Sequence, residues 1–128
     1  MKIEYPGDPE TPRSHLPFSP ATRFGDLIFV SGQASVDATG KIVSDSFEGE
    51  MRRSIDNLAK VLEAAGSDLR HVLQTRNYVR DDGDLAEFNR LYTEYFKPAY
   101  PARTTLSRCL GGLRYEIDCI AVAKSAGG

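Results

Sequence analysis

The 128-residue chain has 16 Lys and Arg against 18 Asp and Glu, a net charge of −2, and 41% hydrophobic residues. This length and composition fit a single globular domain and exclude a disordered chain. The charge balance argues against a surface for nucleic acid or anionic membrane, and no apolar run is long enough to span a bilayer. Two cysteines make no disulfide framework, and the first residues lack the apolar core of a signal peptide. We therefore expect a cytosolic protein.

Five of the seven prolines fall within the first twenty residues. This spacing indicates an extended arm over residues 1–15, followed by a single domain over residues 16–128. Two short strands are expected at the start of the domain, over residues 18–24 and 27–31. A turn at Gly25-Asp26 joins them into a hairpin.

A helix is predicted after a short edge strand over residues 41–43. Asp45 and Glu48 form a capping-box pattern ahead of it, and Gly66 is a typical C-terminal stop. Apolar residues recur at three- and four-residue spacing and so share one helix face: Phe47, Met51, Ile55, Leu58 and Leu62.

A strand over residues 71–80 follows, and then a second helix with its own capping-box pattern, Asp84 with Glu87. Pro98 lies just beyond the end of this helix. Its apolar stripe has the same helical spacing: Leu85, Phe88, Leu91, Tyr92, Tyr95 and Phe96.

Two C-terminal strands complete the order β-β-α-β-α-β-β. This order predicts an α+β fold, a mixed sheet with both helices on one face. Residues 27–30 and 117–122 are apolar on both sides of their strands, so the face without helices is also apolar. Such a face usually binds a partner, and we expect a homo-oligomer with closed symmetry.

Arg103 and Glu116 are the candidate functional residues. Arg103 opens a strand beside two threonines, and a guanidinium is well suited to binding a carboxylate. A surface salt bridge is an equally good explanation of it. Glu116 lies inside an apolar strand, where burial would raise its pKa toward general acid–base work. The alternative is an outward-facing Glu, since Asp118 shares its face.

Other chemistry-bearing residues give weaker signals. Gly111-Gly112 has no strand–loop–helix context for phosphate binding and is read as a turn. His15 and His71 stand alone, and no Cys/His spacing fits a zinc site. Cys109 and Cys119 are expected to be small buried hydrophobes.

In combination, five segments resemble the reactive-intermediate deaminases (the Rid or YjgF-like family of enamine/imine deaminases). They are residues 25–33, residues 57–66, Phe88-Asn89, Pro101-Ala102-Arg103 and Tyr115-Glu116-Ile117. The resemblance covers nearly everything from residue 18 to residue 122. The predicted element order agrees with it.

The resemblance implies a chorismate-mutase-like fold and a homotrimeric barrel with active sites between subunits. Arg103 would hold the carboxylate of a small enamine or imine acid, and Glu116 would help to activate water. The products would be a 2-keto acid and ammonia, with no metal or organic cofactor and no nucleic-acid or membrane partner. The cleft would be lined by Phe18, Ser31, Gly32, Asn89 and Thr105.

The chain departs from the family pattern around the expected cleft. Phe18 stands where Tyr is frequent, Thr105 where Cys or Ser is frequent, and Tyr115 where an aliphatic residue is common. Residues 107–114 lack the usual Leu-Pro. Two alternatives therefore stay open: a non-catalytic binder of small carboxylates, and a deaminase of an aminomuconate-like substrate with a wider cleft at Gly111-Gly112.

Overall fold

The computed structural model describes residues 1–8, 11 and 14–126. Its main elements are β1 (Ala21–Phe24), β2 (Leu27–Ala34), α1 (Phe47–Ala64), β3 (Val72–Val79), α2 (Leu85–Tyr95), β4 (Ala102–Ser107) and β5 (Tyr115–Val122). The predicted element order is confirmed. Within the predicted arm, Glu4 pairs with Arg23 of β1, and residues 9, 10, 12 and 13 lie outside the described residues. The last two residues of the predicted domain, 127 and 128, also lie outside them.

The five strands form one sheet in the order β1-β2-β5-β3-β4. β3 and β4 run parallel, and the other neighbouring pairs are antiparallel. Both helices lie on the same face, because the ring of Tyr115 in β5 packs against a ring from each of them. Its ring centroid is 6.0 Å from that of Phe47 in α1 and 5.9 Å from that of Phe88 in α2. The predicted α+β fold, a mixed sheet with two helices on one face, is confirmed.

The helix caps differ from the predicted capping boxes. The N-cap of α1 is Ser46, whose side chain accepts from the Gly49 backbone at 3.1 Å, and not Asp45. Asp84 does precede α2, but its side chain makes no capping bond. The chain enters α2 from a 3₁₀ turn (Asp82–Asp84), so Asp84 already has helical dihedrals and not the extended ones that a cap needs.

The strand limits also differ from the prediction near the N-terminus. β1 begins at Ala21, three residues later than predicted, and β2 continues to Ala34 through an irregularity between Val30 and Gln33. The predicted strand over residues 41–43 is reduced to one bridge between Val36 and Ile42.

The sheet face opposite the helices carries exposed apolar side chains. Leu27, Phe29 and Leu106 are 43%, 44% and 51% exposed, and the half-buried Ile120 lies opposite Phe29 in the register. Apolar side chains grouped in this way are typical of a surface that binds a partner. The homotrimeric barrel stays a prediction. Within the part of the chain that the structure describes, no helix is long and apolar enough to cross a membrane.

Candidate functional site

Arg103 lies near the start of β4, on the helix side of the sheet. Its guanidinium carbon is 5.0 Å from the ring centroids of both Phe88 and Tyr92 of α2. Cation–π contacts at this distance hold a guanidinium in place without neutralising its charge. Arg103 therefore presents a positioned positive charge at the sheet edge.

Arg103 differs from the other arginines in its lack of an acidic partner. Among the described residues, each of the nine others has a carboxylate within 4.0 Å: Arg23, Arg52, Arg53, Arg70, Arg76, Arg80, Arg90, Arg108 and Arg114. Arg103 has none within the described ranges. Among the described residues, therefore, no salt bridge explains Arg103.

A cleft of about 320 Å³ opens beside Arg103, lined by Asn89, Tyr92, Thr93, Tyr100, Pro101 and Arg103 itself. The Asn89 amide donates to the Leu85 carbonyl of the same helix at 3.1 Å, so this residue has a structural bond as well as a place in the cleft. Thr105 lies two residues along β4 on the same face. Its buried hydroxyl oxygen has no hydrogen-bond partner among the described residues. A free guanidinium and an unpaired hydroxyl on one face suit an anionic, hydrogen-bonding ligand.

Glu116 is half-buried in β5 and makes no hydrogen bond or ion pair with the described residues. Burial raises the pKa of its carboxyl group, and the neighbouring charge of Asp118 raises it further. The carboxylate lies directly over Gly32 of β2, where any Cβ would collide with Oε2. Glu116 thus lies on the same side of β5 as Asp118, away from the core, and is half-buried there. A half-buried carboxyl group with a raised pKa suits proton transfer.

A second cleft, of about 270 Å³, adjoins the backbone under Glu116. Phe18, Gly32 and Gln33 line it, and the Phe18 side chain is 51% exposed. Ser31 is not among its lining residues. The Ser31 hydroxyl donates to the Ser19 carbonyl at 2.6 Å, which fixes the segment that carries Phe18.

The predicted site residues thus do not share one cleft: Asn89 and Arg103 line the first, Phe18 and Gly32 line the second, and Glu116 lies over Gly32 beside the second. Arg103 and Glu116 also point to opposite faces of the sheet. Arg103 is in register with Thr75, whose hydroxyl is bonded to the Tyr92 phenol on the helix side. Glu116 alternates with the core residue Tyr115 and so points to the other side. Because β3 also separates their strands, Arg103 and Glu116 of one chain do not face a common cavity.

Sequence reasoning missed Thr93, Tyr100 and Pro101 as lining residues and treated Tyr92 only as core. The sequence did contain one signal for these lining residues: Tyr100-Pro101 immediately precedes Ala102-Arg103. The prediction that the cysteines are small buried hydrophobes is confirmed for Cys119, which is buried in the core. Burial raises the pKa of its thiol to about 12.

Comparison with known proteins gives a consistent picture. The family model described as Endoribonuclease L-PSP matches residues 9–123. A RutC family protein of Pyrococcus abyssi is 36% identical over 115 residues, covering 88% of this chain and 91% of that protein. The human 2-iminobutanoate/2-iminopropanoate deaminase is 32% identical over 109 residues, covering 83% of this chain and 80% of that protein.

Among solved structures, Escherichia coli TdcF with bound serine superposes with a TM-score of 0.83 at 26% identity, covering 94% of this chain and 99% of that one. The fold and the sequence therefore agree, and the predicted family is confirmed. The chain belongs to the Endoribonuclease L-PSP family, which includes the reactive-intermediate deaminases that its motifs resemble.

Proposed function

We propose that the protein hydrolyses small 2-imino acids, or their enamine tautomers, to 2-keto acids and ammonia. The observation that carries the proposal is the Arg103 guanidinium, held on two aromatic rings with no acidic partner among the described residues. A substrate carboxylate would supply that partner. The names of two relatives support this choice, one a deaminase of imino acids and one a protein solved with bound serine, which also carries a carboxylate.

In the proposed reaction, water adds to the imine carbon and the resulting carbinolamine expels ammonia. Arg103 holds the substrate carboxylate with two parallel hydrogen bonds, and the Thr105 hydroxyl adds a third contact. The Glu116 carboxylate moves one proton from the attacking water to the imine nitrogen, which gives the carbinolamine. It then moves the hydroxyl proton of the carbinolamine to the same nitrogen, so that the C–N bond breaks, the C=O bond forms and ammonia leaves. The raised pKa of Glu116 suits this exchange, because a carboxyl group that titrates nearer neutrality both accepts and donates protons.

The two clefts also favour a site between copies of the chain. Since Arg103 and Glu116 lie on opposite faces, one substrate meets both only if they come from different subunits. The exposed apolar face with Leu27, Phe29 and Leu106 provides a surface for that association. We propose the predicted homotrimer, in which the Arg103 cleft of one subunit meets the Phe18 cleft of the next.

Mixed oligomers provide a direct check of this arrangement. Arg103→Ala and Glu116→Gln are each expected to be inactive alone. When the two variants are unfolded together and refolded at equal amounts, random assembly gives about a quarter of the sites both intact groups. Ammonia release should then recover to roughly that fraction of wild type. Mixing without unfolding is the control, and no recovery after refolding would contradict the shared site.

The reaction itself is tested with 2-iminopropanoate generated in situ by an amino-acid oxidase. The enzyme should accelerate release of ammonia and pyruvate beyond the spontaneous rate. If 2-ketobutyrate raises the melting temperature but no imine is turned over, the protein is a carboxylate binder. Phe18 favours that alternative, since it offers no hydroxyl to the second cleft. Neither turnover nor a thermal shift would contradict both candidates.

Gly32→Ala should impair catalysis without destabilising the fold. The added Cβ would meet Glu116 Oε2, and this flexible side chain can rotate away without moving the backbone. We expect kcat to fall about a hundredfold, the usual cost of displacing a catalytic group by about 1 Å, while the melting temperature changes little. Gly112→Ala is the matched control, because a Cβ there meets nothing within 4 Å. Unchanged kcat in Gly32→Ala would argue that the position of Glu116 is irrelevant.

A further inference from the structure

A chain of buried polar side chains runs through the core beneath Arg103. The Tyr92 and Thr75 hydroxyls are 2.7 Å apart, and the Asn77 amide donates to the Thr75 hydroxyl at 3.0 Å. The Tyr115 hydroxyl donates to Asn77 Oδ1 at 2.6 Å. Thr75, Asn77 and Tyr115 are fully buried, and Tyr92 is 4% exposed.

This polar chain runs from the aromatic ring beneath Arg103 to the strand that carries Glu116. At one end, the Tyr92 ring lies under the Arg103 guanidinium at 5.0 Å. At the other end, Tyr115 directly precedes Glu116 in β5. β3 supplies the middle of the chain, with Thr75 in register with Arg103.

The polar chain has a cost that an apolar core would avoid. Burying a hydroxyl or an amide is unfavourable unless each group is hydrogen-bonded, and a buried network of this kind fixes its members in one arrangement. Tyr115 supplies one end of this chain. The Tyr115 hydroxyl donates a hydrogen bond to Asn77 Oδ1, and without it this oxygen would be a buried acceptor left unpaired.

We propose that this network makes Tyr92 a positioning residue for Arg103. The hydroxyl chain fixes the Tyr92 ring against Thr75, and the ring in turn fixes the plane of the Arg103 guanidinium toward the cleft. The inference rests on the proposed function only in taking a carboxylate as the ligand of Arg103. It goes beyond that function by assigning this chain's own Tyr115–Asn77 pair to the affinity of the site.

The test compares three phenylalanine variants that each remove one hydroxyl. Tyr92→Phe and Tyr115→Phe break the network while they keep the rings. Tyr95→Phe is the matched control on the same helix, because its hydroxyl accepts from Arg52 outside the network. The dissociation constant of 2-ketobutyrate, and KM and kcat for 2-iminopropanoate, are measured for each variant.

We expect the two network variants to raise KM and the dissociation constant about three- to tenfold, as the loss of one hydrogen bond implies, with kcat within about twofold of wild type. Tyr95→Phe should match wild type in all three constants. A rise in KM with an unchanged kcat indicates lost carboxylate binding, whereas general damage to the core would lower kcat as well. The double variant Asn77→Val/Tyr115→Phe replaces both polar partners with apolar ones. It should remain folded and show the same weakening.

The outcomes separate this inference from the proposed function. If both network variants and the double variant bind 2-ketobutyrate as tightly as wild type while Arg103→Ala has lost binding, the positioning role is wrong and the function stands. Equal losses in kcat and in affinity would also overturn the positioning role. If Arg103→Ala itself binds 2-ketobutyrate like wild type, the carboxylate assignment is wrong, and the positioning role falls with it.

Discussion

Arg103→Ala is expected to reduce kcat/KM for 2-iminopropanoate by about a hundredfold or more. Two charge-assisted hydrogen bonds to the substrate carboxylate are lost, each contributing about 1.5–3 kcal/mol, and every 1.4 kcal/mol is a factor of ten. The same variant should no longer be stabilised by 2-ketobutyrate in a thermal melt. The fold should survive, because Arg103 has no acidic partner among the described residues and the change leaves no buried carboxylate unpaired.

Two further variants make the Arg103 result specific. Arg103→Lys keeps the charge but loses the planar fork and the flat contact with Phe88 and Tyr92, so we expect an intermediate activity. Arg70→Ala removes an arginine that is 87% exposed and paired with Asp68, and it should leave kcat/KM unchanged. If Arg103→Ala and Arg70→Ala perform alike, Arg103 is not the carboxylate-binding group.

Much of the fold could be predicted because its elements depend on periodicity. The α1 stripe requires only that apolar residues share a helix face, and its residues are buried as predicted. Caps and strand ends depend on one or two local hydrogen bonds. The N-cap of α1 was predicted at Asp45, but Ser46, the next residue, provides it. Both residue types are good N-caps, so the sequence pattern alone does not distinguish the two positions.

The site could be predicted only in part, for a related reason. Residue type and family resemblance identified Arg103 and Glu116, but the side of the sheet each occupies depends on register and on which strand lies between. The placement of β3 between β5 and β4 separates the two residues, and no local pattern gives that order. The buried Asn77 was equally hidden, since a polar residue within a strand reads as solvent-facing until its partner Tyr115 is known.

Glu116→Gln is expected to lower kcat by about two to four orders of magnitude, the usual contribution of a positioned acid–base group. Gln keeps the size of the side chain over Gly32 but cannot exchange a proton. KM should change little, because in the proposed mechanism Arg103 holds the substrate carboxylate. Glu63→Gln, a change to an exposed carboxylate on α1, is the control and should behave as wild type.

The same substitution should stabilise the protein at neutral pH. Burial, and then the charge of Asp118, raises the pKa of Glu116 above its ordinary value near 4.5, so the folded state holds this proton more tightly than the unfolded state. Its contribution to stability is present below that ordinary value and is lost as the pH rises through the raised pKa. Melting temperatures of Glu116→Gln and wild type should therefore coincide in acid and diverge above the raised pKa, with the variant higher. A variant that is both less stable at neutral pH and fully active would show that Glu116 is a structural residue, because a carboxylate kept for proton transfer is expected to cost the fold stability where it is charged.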